Sequence, residues 1–371
     1  MLNLFINNQN IMKTNQLILA AALVALAACT KENVDFNANT LDNEIGFTAV
    51  TRKATKATTD NDKIVANATY PETCAFKVWG WNSPVGDFSE FSDGDASNFM
   101  SNLTIEYTTG PNSQKAAAWR NADQYYYWPM TGEISFFAFH PSDKVPANFA
   151  PGWDATHDVP TASISGWDVT GTNKTVDLMF ADNHGHKQTS ALGLVFKHAL
   201  AQIVVNVKTD EDYHADAQFD VNSVTFNNVY TTGDLSYSQS TYTWTPVAND
   251  TQTHDWVYSN TSMTNITNAE NQVYGAACLM IPQDANTKDP NATPADNTET
   301  TITINYTITS VVAANAPAAT PVTANVTVAA PQIWAAGSKY IYTLNFKLNE
   351  ILFAPTVDPN WVVVNVATMD I

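Results

Sequence analysis

The chain has 371 residues, of which 17 are Lys or Arg and 36 are Asp or Glu, so its formal net charge at pH 7 is -19. A chain this acidic lacks the basic surface that neutralises phosphates, which excludes a nucleic-acid partner and charge-driven binding to anionic lipid head groups. Its length is enough for two domains of ordinary size, each with a core of its own.

An apolar run from Leu17 to Ala28 follows a short polar segment that contains Lys13. The run is too short to span a bilayer, which takes about 20 residues, but it has the length of the hydrophobic region of a signal peptide. It ends in Leu-Ala-Ala before Cys29, and small residues before a cysteine are typical of a site where the thiol is acylated. We therefore expect residues 1–28 to be a signal peptide and Cys29 to carry lipid.

Translation is expected to start at Met12, because the residues before it add no positive charge ahead of the apolar run. Membrane contact is expected from the lipid alone, since an acylated cysteine supplies the two or more chains that stable anchoring requires. A buried Ala-rich helix with a chance cysteine is the alternative. Cys74 and Cys278 are predicted to be small buried hydrophobes, with a disulfide in the oxidising periplasm as the alternative.

The first predicted strand is Glu44 to Val50, in which Ile45, Phe47 and Ala49 alternate with other residues and are assigned to the inner face. Thr51-Arg52-Lys53 follows at once, and Arg52 is one of only two arginines in the chain. This sequence is a site for a trypsin-like or Arg-specific protease. A solvated basic turn after an ordinary edge strand is the alternative.

The first half of the chain is rich in aromatic residues. Clustered aromatic rings can bind sugars, but aromatic residues also commonly fill the core of a β-sandwich. The cluster comprises Trp79, Trp81, Trp119, Tyr125, Tyr126, Tyr127 and Trp128. Ile134 to Phe139 is apolar on both faces, which suits a covered strand.

Two polar groups could bind a metal. The carboxylates of Asp87, Glu90, Asp93 and Asp95 could hold calcium or form a glycosidase pair, but they lack EF-hand spacing, and a solvated loop is the favoured interpretation. His184-Gly185-His186 has no third ligand at a recognisable spacing. We therefore predict no metal and no cofactor.

Alternating strands dominate the second half. The clearest are Thr301 to Ile308 and Tyr340 to Leu348, where Tyr340, Tyr342, Leu344 and Phe346 share one face. No long segment shows helical spacing, so the predicted fold is all-β, with antiparallel sandwiches. The polar stretch Asp182 to Thr189 is predicted to be a loop between two domains. Motifs for hydrolases, zinc proteases, phosphate loops and dinucleotide binding are missing, so no enzyme is predicted.

Several scattered motifs resemble the fimbrillin-like proteins of Bacteroidetes, the subunits of type V pili. Each motif is a strand plus a turn, and their order and spacing together carry the resemblance. They are Ile45–Thr48, Tyr126–Pro129, Ile134–Pro141, Asp177–Ala181, Phe196–Ile203, Met280–Gln283 and Trp334–Tyr340.

The resemblance implies two transthyretin-like β-sandwich domains behind a lipidated propeptide. With the boundary placed in the polar stretch, the domains are residues 53–186 and 187–371, and the propeptide is residues 29–52. It also implies cleavage after Arg52, removal of the first strand, and refilling of its groove by a strand from the next subunit. The implied partners are other pilus subunits, identical or paralogous, and the outer membrane through the lipid anchor.

Alternative functions remain open. One is a monomeric surface lipoprotein that binds a host glycan or protein, and another is the anchor subunit of a pilus. Trp361 to Ile371 could be a donor strand or the last strand of its own sandwich. The sequence therefore does not separate a stalk subunit from a tip subunit.

Overall fold

A computed structural model describes most of the chain between Asn43 and Val357, all within one compact unit of residues 39–371. Cys29, Arg52 and Trp361 to Ile371 lie outside the described residues. Those described are 43–51, 70–113, 115–170, 173, 175–209, 217–247, 256–257, 263–268, 272–284, 300–310, 321–329, 333–346 and 351–357.

The described residues confirm the all-β prediction. The helices whose bounds are described are single 3-10 turns at Phe88–Glu90 and Ser142–Lys144, and Asn173 also has 3-10 geometry. Neither is long or apolar enough to cross a membrane.

Seven strands form a sheet that closes on itself, in the order β1-β4-β3-β2-β5-β8-β9. The ring closes because β1 pairs with both β4 and β9. The strands are β1 (Phe47–Thr51), β2 (Ala75–Ser83), β3 (Met100–Thr108), β4 (Ala118–Arg120), β5 (Glu133–His140), β8 (Met179–His186) and β9 (Leu192–His198).

The remaining strands form three four-stranded sheets and one two-stranded sheet. The first has β13 (Thr241–Pro246), β12 (Thr232–Ser238), β7 (Val159–Asp168) and β6 (Gly152–Asp154). The second has β15 (Gln272–Met280), β10 (Ala201–Thr209), β20 (Lys339–Phe346) and β21 (Ile351–Val357). The third has β14 (Trp256–Val257), β11 (Ala217–Asn227), β17 (Thr301–Ser310) and β18 (Val322–Ala329). The two-stranded sheet has β16 (Gln283–Asp284) and β19 (Ile333–Trp334).

The strand predictions for the second half are confirmed, with one correction. In β20 the side chains of Tyr340, Tyr342, Leu344 and Phe346 are buried, as the alternation predicts. Thr343 on the opposite face is buried as well. The reason is that β20 is an inner strand, paired on one side with β10 and on the other with β21.

The predicted loop at Asp182 to Thr189 is wrong for its first five residues, which continue β8 to His186 and pair with β5. Polar residues are tolerated in this strand because their side chains are solvated or bonded; the Asp182 carboxylate accepts hydrogen bonds from the hydroxyls of Tyr237 and Ser240. β9 then returns to the closed sheet. The division into domains at 186/187 stays a prediction.

Two apolar clusters fill the interior. One lies among strands of the closed sheet and includes Ile45, Phe47, Phe76, Phe136 and Phe196. The other runs from Trp79 in the first half of the chain to Phe346 in the second.

Candidate functional site: the first strand and its slot

The first strand is hydrogen-bonded on both sides, to one continuous strand on one side and to separate pieces of chain on the other. On one side β1 forms a continuous parallel ladder with β9, from Phe47 opposite Leu192 to Thr51 opposite Phe196. The ladder is extended before the strand by the hydrogen bond from the Leu192 amide to the Gly46 carbonyl, 2.9 Å long. β9 therefore supplies most of the backbone hydrogen bonds of this strand.

The other side is made of separate pieces of chain. The Ile45 amide donates to the Tyr126 carbonyl (2.8 Å), Phe47 lies opposite Trp119 of β4, and the Tyr70 amide donates to the Ala49 carbonyl (3.1 Å). We call the space between β9 and these pieces the β1 slot. One strand thus links β9 to these pieces through backbone hydrogen bonds.

The inner face of the strand is apolar and buried. Ile45, Phe47 and Ala49 are each 2% exposed, and the structure places all three in the core of the closed sheet. The Phe47 ring makes edge contacts with the rings of Phe136 (5.3 Å between centroids) and Phe76 (6.2 Å). Burying Ile and Phe side chains contributes roughly 1.5 to 3 kcal/mol each.

A buried charge lies three residues before β1, which begins at Phe47 and not at Glu44 as the sequence predicts. The Glu44 carboxylate is fully buried and lies 2.7 Å from the Lys115 ammonium and 3.2 Å from Nε of Arg120. Burial of Lys115 opposes its charge, but the hydrogen bond and negative charge of Glu44 outweigh this, and the pKa of Lys115 is raised. Sequence reasoning missed this cluster because its members are far apart in the chain.

A second polar group missed by sequence reasoning lies beside the slot. Tyr70 and His140 are buried and hydrogen-bonded to each other, and Nδ1 of His198 lies 2.9 Å from the Asp177 carboxylate. Burial lowers the pKa of His140 to about 4, so this imidazole is neutral at pH 7. The Tyr70 ring also packs against Phe196 of β9, which ties the group to the strand next to β1.

The aromatic cluster of the first half belongs mainly to the core. Trp79, Trp81, Trp119 and Trp128 are buried, as the sandwich-core interpretation predicts. Tyr127, 51% exposed, is the exposed member of the cluster. These tryptophans therefore do not form a surface platform for sugars.

The two polar groups considered and not favoured as metal ligands lie in turns and on the surface. The carboxylate of Asp87 accepts a hydrogen bond from the Ser89 amide, that of Asp93 from Ala155, and that of Asp95 from Ser92, so they order turns. The side chains of His184 and His186 are exposed on β8. Within the described residues no three potential ligands meet in a cluster that could hold a metal ion.

Two solved structures match most of this chain. A fimbrial protein of Bacteroides vulgatus matches with 19% identity and a TM-score of 0.58, over 85% of this chain and 98% of that chain. A candidate cell adhesion protein of Bacteroides uniformis matches with 17% identity and a TM-score of 0.46, over 85% and 99% of the respective chains. No curated protein is significantly similar.

The family comparison covers most of the sequence. A family model described as fimbrillin-like matches residues 34–361, which include β1, its slot and every other described strand. The resemblance drawn from the sequence motifs is thereby confirmed. The chain belongs to the fimbrillin-like family.

Proposed function

We propose that the chain is a structural subunit, stalk or tip, of a cell-surface fimbria, assembled by exchange of its first strand. Membership of the fimbrillin-like family supports a role in pili or adhesion, a cell-surface location and pilus subunits as partners, and it implies a non-enzymatic role. The observation that carries the finer proposal is the slot. A short strand at the start of the fold fills the gap in an otherwise closed sheet and is followed directly by Arg52.

Cleavage after Arg52 separates β1 from the rest of the fold in sequence. The cut strand keeps its ladder with β9 and its three buried side chains, so it stays in place until another strand displaces it. An incoming strand restores both the ladder hydrogen bonds and the apolar contacts, as in other cases of β-strand addition. Assembly therefore needs both a cut and a donor, and it is slow.

Export follows the lipoprotein route in this proposal. The signal peptide of residues 1–28 is removed, Cys29 is acylated, and the lipid holds the propeptide of residues 29–52 at the outer membrane. Loss of that propeptide also frees the subunit from its anchor. Because the cut strand stays in its slot until a donor strand displaces it, release from the membrane coincides with assembly and not with cleavage.

The test is a variant without the first basic residues after β1. Replacing Arg52, Lys53 and Lys56 with Ala leaves Lys63 as the next basic residue, so the protease used is one that cuts only after arginine. We expect this variant to fold like the parent and to stay monomeric under protease treatment that drives the parent into ladders resistant to mild denaturation. Equal polymerisation of the two chains, or a cleaved parent that stays monomeric, contradicts strand exchange.

A further inference from the structure

We infer that Lys115 and Arg120 form a carboxylate subsite in the β1 slot. It selects incoming strands that carry an acidic residue three positions before their aromatic anchor. This inference rests on the proposed function, because the subsite opens to another strand only when β1 leaves.

The present occupant of the subsite is Glu44. It is fully buried, it lies within 3.2 Å of both cations, and it comes three residues before the anchoring ring of Phe47. A buried carboxylate is unfavourable unless it is paired with opposite charge. The first strand therefore contributes a charge to the slot as well as three apolar side chains.

Both cations belong to parts of the fold that stay when β1 leaves. Arg120 is the last residue of β4 and pairs in register with Glu106 of β3. The Lys115 ammonium lies 4.5 Å from the centre of the Tyr125 ring, and the Arg120 guanidinium lies 5.7 Å from it. Cation–π contacts of this kind hold the two side chains at the slot without help from Glu44.

The guanidinium of Arg120 has unused hydrogen-bonding capacity. It is 3% exposed, and among the described residues its Nε and Nη1 have no hydrogen-bond partner, although Nε lies within ion-pair distance of Glu44. Once Glu44 leaves, a strand without an acidic residue would bury this cation without the carboxylate that now lies within ion-pair distance of it. A strand that brings a carboxylate avoids that penalty, and the difference between the two is the selectivity.

A second copy of this chain can supply such a strand. Outside the described residues, Asp358 precedes Trp361 by three positions and Val363 by five, the separations of Glu44 from Phe47 and Ala49. Pro359 then takes the position of Ile45 and lacks the amide that Ile45 donates to Tyr126. The occupant is therefore expected to bind through its carboxylate and its apolar anchors, with one backbone hydrogen bond fewer.

The experiment measures peptide binding to the full chain, carrying Cys29→Ser and cut after Arg52. The probes are labelled peptides of residues 44–51, with Glu or Gln at position 44, and of residues 358–365, with Asp or Asn at position 358. We expect the acidic form of each to bind at least about tenfold more tightly, since breaking a buried ion pair has effects of this size or larger.

Matched variants locate the effect. Arg120→Met and Lys115→Met should each reduce the preference for the acidic peptide, and Lys115→Met serves alone if Arg120→Met does not fold. Lys77 lies on β2, and its ammonium donates to the Thr104 hydroxyl and not to Glu44. Lys77→Met should therefore leave the preference for the acidic peptide unchanged.

The outcomes separate the two proposals. Equal affinity for the Glu and Gln peptides of residues 44–51 overturns the subsite and leaves strand exchange standing. Failure of both peptides to bind overturns strand exchange, and the subsite with it. A preference for acid in the 44–51 pair alone overturns the second copy as the source of the strand.

Discussion

Replacing Phe47 with Ala should destabilise the uncut chain strongly. The side chain is 2% exposed and contacts the rings of Phe136 and Phe76, so its removal leaves a cavity in the core of the closed sheet. Phe→Ala changes in cores cost about 3 to 5 kcal/mol. Val50 is a matched control because it lies on the same strand and is only partly buried; Val50→Ala should cost within about 1 kcal/mol.

The assay is urea unfolding of the parent and both variants, with the free energy of unfolding obtained from the midpoint and the slope. A second result is expected for the polymers, because β1 leaves the slot on assembly. Polymers formed from Phe47→Ala and from the parent should unfold at the same midpoint. The reasoning would be refuted if Phe47→Ala lowered the free energy of unfolding of the uncut chain by less than about 1 kcal/mol. It would also be refuted if the polymers of Phe47→Ala and of the parent differed in their unfolding midpoints.

Three further predictions concern other parts of the chain. Trp334→Ala should cost about 3 to 5 kcal/mol in the same urea assay, because the indole is buried and donates to the Tyr342 hydroxyl; an unchanged midpoint would show that the ring carries no core packing. The pKa of His140 is about 4 in the folded chain and about 6.5 when unfolded, so the unfolded state takes up the proton first and stability falls as the pH drops from about 6.5. This contribution reaches about 3 kcal/mol at pH 4, and a His140→Gln variant with the same pH dependence as the parent would contradict it. Cys29→Ser should abolish fatty-acid labelling and leave the precursor uncleaved by the lipoprotein signal peptidase, whereas undiminished label would exclude Cys29 as the lipid site.

Alternation of apolar and polar residues predicts a strand well when one of its faces is apolar and buried. The pattern predicts β17 and β20, and it also predicts the buried side chains of Phe47 and Ala49 in β1 and of Ile45 just before it. The same pattern failed at Asp182 to His186. Polarity favours a loop there, but the partners that make a polar strand tolerable, Tyr237 and Ser240, lie more than 50 residues away.

The candidate site was predictable only in part, for the same reason. The removable strand and the basic residue after it are adjacent in sequence, so a local pattern reveals them. The slot is made of pieces from four separate stretches of chain, and the counter-charges of Glu44 lie about 70 residues downstream. Pairings of this kind depend on strand order, which the sequence pattern alone does not specify.

The central claim, that β1 leaves its slot on assembly, is tested most directly by locking the strand in place. Val50 of β1 is the register partner of Val195 of β9, and neighbouring strands bring such Cα atoms within the range a disulfide can bridge. In a Cys29→Ser background, the chain with Val50→Cys and Val195→Cys should, when oxidised and cut after Arg52, stay monomeric, and a reductant should restore assembly. Assembly of the oxidised, cut chain at the rate of the parent would contradict the account.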